Sequence, residues 1–156
     1  MAVATLRRGT LTLTCTFNPL RIERGNLFKD LGLKPKHIPN FVCGDAQHLP
    51  FRDGVFSLVC SSHVMEHVAD LGLMVRELMH VSCYQVVIKC PHRLLRAVSE
   101  GRIKEHVNHF GKAWFYGFRR MGVFVSVEVS RYRNFPHEYS ALLHLPYEIT
   151  VHMIKK

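Results

Sequence analysis

Hydrophobic positions along this chain switch between two periods. Thr10 to Phe17 (TLTLTCTF) alternates with period two and is rich in β-branched residues, which predicts a strand. Asn18-Pro19 then supplies a helix N-cap with proline at the first helical position. Leu20, Leu27, Phe28 and Leu31 share one helical face, and Gly32 supplies the stop. Phe41 to Cys43 predicts a short strand ending at Gly44-Asp45, and Val55 to Cys60 predicts another. Asp70 caps a predicted helix whose apolar face is Leu71, Met74, Val75 and Leu78. Tyr84 to Cys90 (YQVVIKC) is a nearly continuous apolar run, which predicts a strand buried on both faces and ended by Pro91. Residues 92–109 are polar and predict a loop with some helix. Lys112 to Met121 predicts a helix with Trp114, Phe118 and Met121 on one face and Gly122 as the stop. Val123 to Val129 and Tyr147 to Ile154 predict two last strands, joined by a long connection containing Pro136 and Pro146.

Strands alternating with helices argue for an α/β fold on a mostly parallel sheet. The last two strands have no helix between them, so an antiparallel pair is expected there. No internal repeat or low-complexity segment interrupts the pattern.

Composition narrows this picture without redirecting it. The chain has 156 residues, enough for one domain spanning 1–156. Hydrophobic residues make up 47% and charged residues 21%, which excludes a disordered chain. No apolar run reaches the roughly 18 residues of a membrane span, and Met1 to Arg8 has no secretory pattern. Five cysteines occur without a CxxC; Cys15, Cys43, Cys60 and Cys90 lie in apolar runs, which predicts buried thiols in a reducing cytoplasm. The formal charge of +9 is spread out, with 8 basic and 4 acidic groups in residues 1–60 and 13 and 8 in residues 61–156. Such a surface attracts polyanions, so nucleic acid is a candidate partner, but charge alone does not identify one.

Asn40 to Phe51 reads NFVCGDAQHLPF and continues as RDGVFSLVCSSHVMEHVAD, with YQVVIKCPHR after the next helix. GDA, LPF and EHV, in this order and spacing, resemble the class I S-adenosylmethionine-dependent methyltransferases, in particular the type 11-like branch that acts on small molecules and tRNA. The likeness spans roughly residues 10–156 and is specific between 40 and 70. It implies a Rossmann-like, mostly parallel sheet with helices on both faces and an antiparallel C-terminal strand. It also implies that Asp45 accepts a hydrogen bond from the adenine amino group of S-adenosylmethionine, and that Ala46 offers its backbone N–H to the ring. Gly44 precedes them, and Leu49-Pro50-Phe51 form an apolar turn alongside. Ser61, Ser62 and His63 follow the next strand, where ligands of open α/β sheets bind.

The chain departs from that family at its front. The family's first strand ends in a G-x-G-x-G loop, where only glycine allows the backbone to pass close to the cofactor. Only nine residues precede Thr10, and no G-x-G occurs in the chain. The expected fold is therefore truncated at the N-terminus. The second strand normally ends in a carboxylate for the ribose; Thr16 stands there, followed closely by Asn18. Ser57 stands where the fourth strand usually carries Asp. These changes predict weak or no binding of S-adenosylmethionine by this chain. They leave three readings: an active methyltransferase, a degenerate binding or scaffold module, or a fragment that needs a partner chain.

The family's first strand lies between the second and fourth. Three arrangements could close that slot. Ala2 to Leu6 and Thr10 to Phe17 flank Arg7-Arg8-Gly9, a plausible hairpin whose first arm could fill it. The second and fourth strands could pair directly, or a partner chain or second copy could supply a strand.

A base is useful in methyl transfer only when the acceptor must lose a proton. His63, His67 and His106 are the catalytic candidates, with Glu66 as a possible carboxylate. His92, Arg93 and His109 are candidate substrate contacts for an acceptor that the sequence does not identify. His63 and His67 at i, i+4 and His106 and His109 at i, i+3 could each share a helical face, but neither pair has a third ligand at recognisable spacing, so no metal is predicted.

Overall fold

The computed structural model describes residues 2–7, 9–15, 41–93, 107–131 and 146–156. The predicted helix after Asn18, together with Thr16 and His106, lies outside these residues.

Seven strands form one sheet: β1 (Ala2–Arg7), β2 (Thr10–Cys15), β3 (Phe41–Gly44), β4 (Phe56–Ser62), β5 (Ser82–Pro91), β6 (Phe124–Arg131) and β7 (Pro146–Ile154), in the order β3-β1-β2-β4-β5-β7-β6. β2 pairs in parallel with β4, and β4 with β5. β1 is antiparallel to both β2 and β3, and β7 to both β5 and β6. β2 to β6 therefore all point one way, with only β1 and β7 reversed, so the sheet is mostly parallel in strand direction. The antiparallel placement of the last strand is the one expected of β7 against both β5 and β6.

The hairpin forms as the sequence suggests, with Arg7 opposite Thr10 and Gly9 at φ 78°. Its orientation is the reverse of the one expected. The second arm, not the first, lies against β4, with Leu11 beside Val59 and Leu13 beside Ser61. The first arm bridges β2 to β3. Direct pairing thus closes the slot, and the sheet is continuous there without a strand from another chain. Two forces favour this order. Leu11 takes an inner position and is fully buried. Meanwhile the turn is anchored on β4, because the carbonyl oxygen of Gly9 accepts from Ser57 N (3.0 Å) and from Ser57 Oγ (3.2 Å). A carboxylate at residue 57 would have no proton to donate, so the departure from the family's Asp has a local purpose.

One face of the sheet carries the core. Leu11, Val59, Val86, Met153 and Val125 run across it in register, and Ser61, Ile88, Val151 and Val127 form the next row. The opposite face is only half-covered: Cys60, Val87 and His152 are partly buried, and Lys89, Phe124 and Glu128 are exposed. Among the described residues, β5 is accordingly sealed on one face rather than both. It also begins two residues before the predicted start, directly after the first helix.

That helix, α1 (Leu71–Val81), is capped as predicted: the Asp70 side chain accepts from Leu73 N at 2.8 Å. Met74, Val75 and Leu78 bury its apolar stripe, joined by Met79 and Val81. The predicted helix at Lys112–Met121 is only partly α-helical. α2 (Lys112–Phe115) passes into a 3₁₀ segment, Tyr116–Met121, which ends at Gly122 in the left-handed region. The three-residue repeat of that segment removes Trp114 and Met121 from a common buried stripe, and they stay 42% and 43% exposed while Phe115 is sealed.

The hairpin anchor yields a test by chemical denaturation. Gly9→Ala forces a side chain into the left-handed region beside Ser57 Oγ, and should cost about 1 kcal/mol. Ser57→Asp should lose about 1 kcal/mol by removing the donor. Gly117→Ala, where an added Cβ meets nothing within 4 Å, should stay within about 0.5 kcal/mol of the parent. Equal effects at all three positions would contradict the anchor.

Candidate functional site

The strand register places the candidate residues along one edge. The carboxyl ends of β2, β3, β4 and β5 point the same way, so Cys15, Gly44, Ser62 and Pro91 lie along it, and the reversed β1 and β7 bring their first residues there too. Thr16 and Asn18 continue from β2 but lie outside the described residues.

At the β3 end, Gly44 is half-buried and open space surrounds the place where a Cβ would stand. Asp45 and His48 close a tight turn, with His48 N donating to Asp45 O at 3.1 Å. The Asp45 carboxylate accepts from Gln47 N (2.9 Å) and lies 3.2 Å from His48 Nδ1. The backbone hydrogen bond, then the histidine contact, hold its pKa below the usual value, so it is firmly ionised. Asp45 therefore shapes its own turn and still presents an exposed acceptor. Ala46 is buried beneath it. The turn is fixed from below: Leu49 N donates to Glu77 Oε2 at 2.8 Å, Asp70 N to Gln47 Oε1 at 2.6 Å, and Phe51 meets Phe56 edge-on. The donor set fits adenine at this end, since an ionised, accessible carboxylate is what an exocyclic amino group needs.

At the β4 end, adjacent residues must face opposite sides of the sheet. Ser61 turns into the core, where its hydroxyl finds no partner, so it is not presented to a ligand as expected. Ser62 faces the half-covered side. His63 then adopts φ 52°, the left-handed region that side chains other than glycine rarely enter. This bend carries its imidazole across the sheet edge, to Glu66 Oε1 at 3.2 Å through Nδ1 and to Glu148 Oε2 at 3.4 Å through Nε2. Bonding to Glu66 raises the His63 pKa above its ordinary value; burial opposes this, and the charges of Glu66 and Glu148 add to it.

Glu66 lies in a 3₁₀ turn, Met65–His67, and is completely buried. His67 Nε2 is 3.9 Å from the same Oε1, so the predicted His63–His67 pair converges on a carboxylate. Oε2 of Glu66 has no hydrogen-bond partner. The turn is clamped by the segment before Phe110. Val107 N and Asn108 N both donate to Glu66 O, and Asn108 Nδ2 donates to Met65 O and Val68 O.

At the β5 end, His92 N donates to Tyr147 O and Arg93 N to Phe110 O, which ties three separate segments together. Burial, and then Arg93, lower the His92 pKa. His109 is exposed on the clamping segment. Sequence reasoning missed Glu148, Lys89 and Asn108. No spacing could have flagged Glu148, which lies at the start of a strand 85 residues beyond His63. Among the described residues, no group of three side chains is arranged to hold a metal ion.

Comparison with known proteins agrees with this layout. Residues 12–84 match the family model described as a methyltransferase domain. Over 97 residues the chain is 35% identical to a probable chloroplastic tocopherol O-methyltransferase of Oryza sativa, a match that covers 60% of this chain but only 26% of that protein's length. A crystal structure of an S-adenosylmethionine-dependent methyltransferase from Thermotoga maritima superposes with a TM-score of 0.59 at 15% identity, covering 86% of this chain and 70% of that one. Magnesium protoporphyrin IX methyltransferase from Synechocystis, solved with bound S-adenosylhomocysteine, gives a TM-score of 0.54 at 13% identity, covering 85% and 57%. The strand order, the edge geometry and these matches agree: residues 12–84 resemble a methyltransferase domain, and the fold is similar to that of S-adenosylmethionine-dependent methyltransferases.

Proposed function

We propose that this chain binds S-adenosylmethionine along the carboxyl edge of its sheet and transfers a methyl group to an acceptor beside His63, His92, Arg93 and His109. The observation that carries the reading is the edge itself, where Gly44-Asp45, Ser62-His63 and His92-Arg93 follow strands that all point the same way. The bound sulfonium would supply an electrophilic methyl group. Asp45 would accept from the adenine amino group, and the Ala46 N–H would donate to the ring. Gly44 leaves room for their approach. Ser62 and His63 would stand toward the methyl end, and Thr16 and Asn18 would flank the ribose from the segment after β2.

The unpaired thiols of Cys60, Cys83 and Cys90 fit a reducing compartment, and we place the protein in the cytoplasm. No helix among the described residues is long and apolar enough to cross a membrane. A second reading, a non-catalytic module, rests on the chain's +9 charge, which would favour an anionic partner such as nucleic acid.

Thermal unfolding with S-adenosylhomocysteine separates the two. With weak binding, a dissociation constant of about 0.1 mM adds about 1.4 kcal/mol of stability at about 1 mM ligand, a measurable rise in Tm. Asp45→Ala should remove that rise while leaving the ligand-free Tm within a few degrees of the parent. A folded parent that shows no shift at millimolar ligand would overturn the cofactor reading and favour the non-catalytic module.

A further inference from the structure

His63 stands where a proton could leave an incoming molecule. Its bend at φ 52° is a strained backbone at the end of a central parallel strand, and such strain persists only where surrounding contacts hold it. The contacts are present. Glu66 holds Nδ1, and the Glu66 turn is pinned by four hydrogen bonds from Val107 and Asn108. When His63 is neutral, an Nδ1–H donating to Glu66 leaves the lone pair on Nε2. The imidazole is 53% exposed, while Glu66 is fully enclosed, so Nε2 is the open side of the pair.

What surrounds Nε2 selects the molecule. Glu148 Oε2 lies 3.4 Å away, so the imidazolium would donate Nε2–H to it, whereas in the neutral imidazole a lone pair faces a carboxylate, which is unfavourable unless an incoming molecule donates to both. Glu148 already receives one ammonium on its other oxygen, from Lys89 Nζ at 3.6 Å. Glu66 adds a buried negative charge whose second oxygen is unpartnered. His67 shares Glu66 Oε1. A carboxylate acceptor would be repelled here and would need no base. A protonated amine would be attracted, could donate one N–H to Nε2 and another to Glu148, and must lose a proton before its nitrogen can attack.

Building on the methyltransferase reading above, we propose that His63, positioned by Glu66, takes the proton from a cationic amine acceptor that Glu148 binds. The proton passes from the ammonium nitrogen to Nε2. The freed lone pair forms the new N–C bond to the sulfonium methyl, and sulfur keeps the electrons of the C–S bond that breaks. The imidazolium then returns its proton to water. Glu66 is a positioning residue, because it acts through His63.

The test is nitrogen-detected NMR of the His63 imidazole in the full chain, titrated with benzylamine, phenol and benzoate as probes. Benzylamine should shift the His63 resonances, bind more tightly as pH rises through the His63 pKa, and lower that pKa; phenol and benzoate should do neither. Glu148→Gln should weaken benzylamine about tenfold, equivalent to ~1.4 kcal/mol. Glu66→Gln should lower the His63 pKa and weaken the amine response. Should the buried Glu66 variant fail to fold, Glu148→Gln, at a partly exposed position, decides. Benzoate binding as well as benzylamine, or a His63 pKa indifferent to both carboxamide variants, would overturn the proposal. A cofactor shift without any amine response would overturn this site alone. An amine response without a cofactor shift would support the site and count against the cofactor reading.

Discussion

Thr10 to Thr14 lies beside Leu58 to Ser62 in parallel, and the placement of β1 and β3, and so of Gly44-Asp45, on the carboxyl edge depends on that contact. Parallel pairing puts the end of β2 level with the ends of β4 and β5. β1 must then fold back outward, and it runs antiparallel to β3, which restores the common direction. The hairpin's reversal is thus what lets four strands end together. Its turn is tied to β4 through the Gly9 carbonyl, and its second arm contributes Leu11 to the core. Burying one leucine fully is worth about 2 kcal/mol, comparable to the two hydrogen bonds from Ser57 at about 1 kcal/mol each, so the apolar term and the turn anchor together favour the second arm against β4.

Along that edge the chemistry is divided. The β3 end is held by a turn in which Asp45 stays ionised through its own backbone contacts. The β4 end is held by the strained His63 and a buried carboxylate. The two ends are stabilised independently, one from α1 through Glu77 and Gln47, the other from the Asn108 segment and β7. A ligand that spans them would therefore meet two preformed surfaces rather than order them on binding, which lowers the entropic cost of association.

Much of this was legible in the sequence where local chemistry sets local structure. Asp70 as a cap, the Met74–Leu78 stripe, Gly122 as a stop and the hairpin glycine each act within a few residues, and each appears as the pattern implies. The GDA and EHV stretches carried the resemblance and the carboxyl-edge placement. Legibility failed where the decision is non-local. Which hairpin arm faces β4 depends on a residue 48 positions away, Ser57, and on where Leu11 is buried. The one-sided burial of β5 depends on what covers the second face, which an apolar run cannot report. Glu66, three residues from His63, was within reach of the sequence pattern, but Glu148 comes from a strand 85 residues on, so no spacing reveals it. Ser61 departs from the expected ligand-facing position for a simpler reason: strand alternation sends it inward when its neighbour Ser62 faces out.

The strand order is the claim on which the site stands, and inter-strand nuclear Overhauser contacts between backbone protons test it most directly. The account predicts contacts from Thr10–Thr14 to Leu58–Ser62 in parallel register, and from Ala2–Thr5 to Phe41–Gly44 in antiparallel register. Contacts from Ala2–Arg7 to Leu58–Ser62 would contradict it, because they would place the first arm inside and move the end of β2 away from His63.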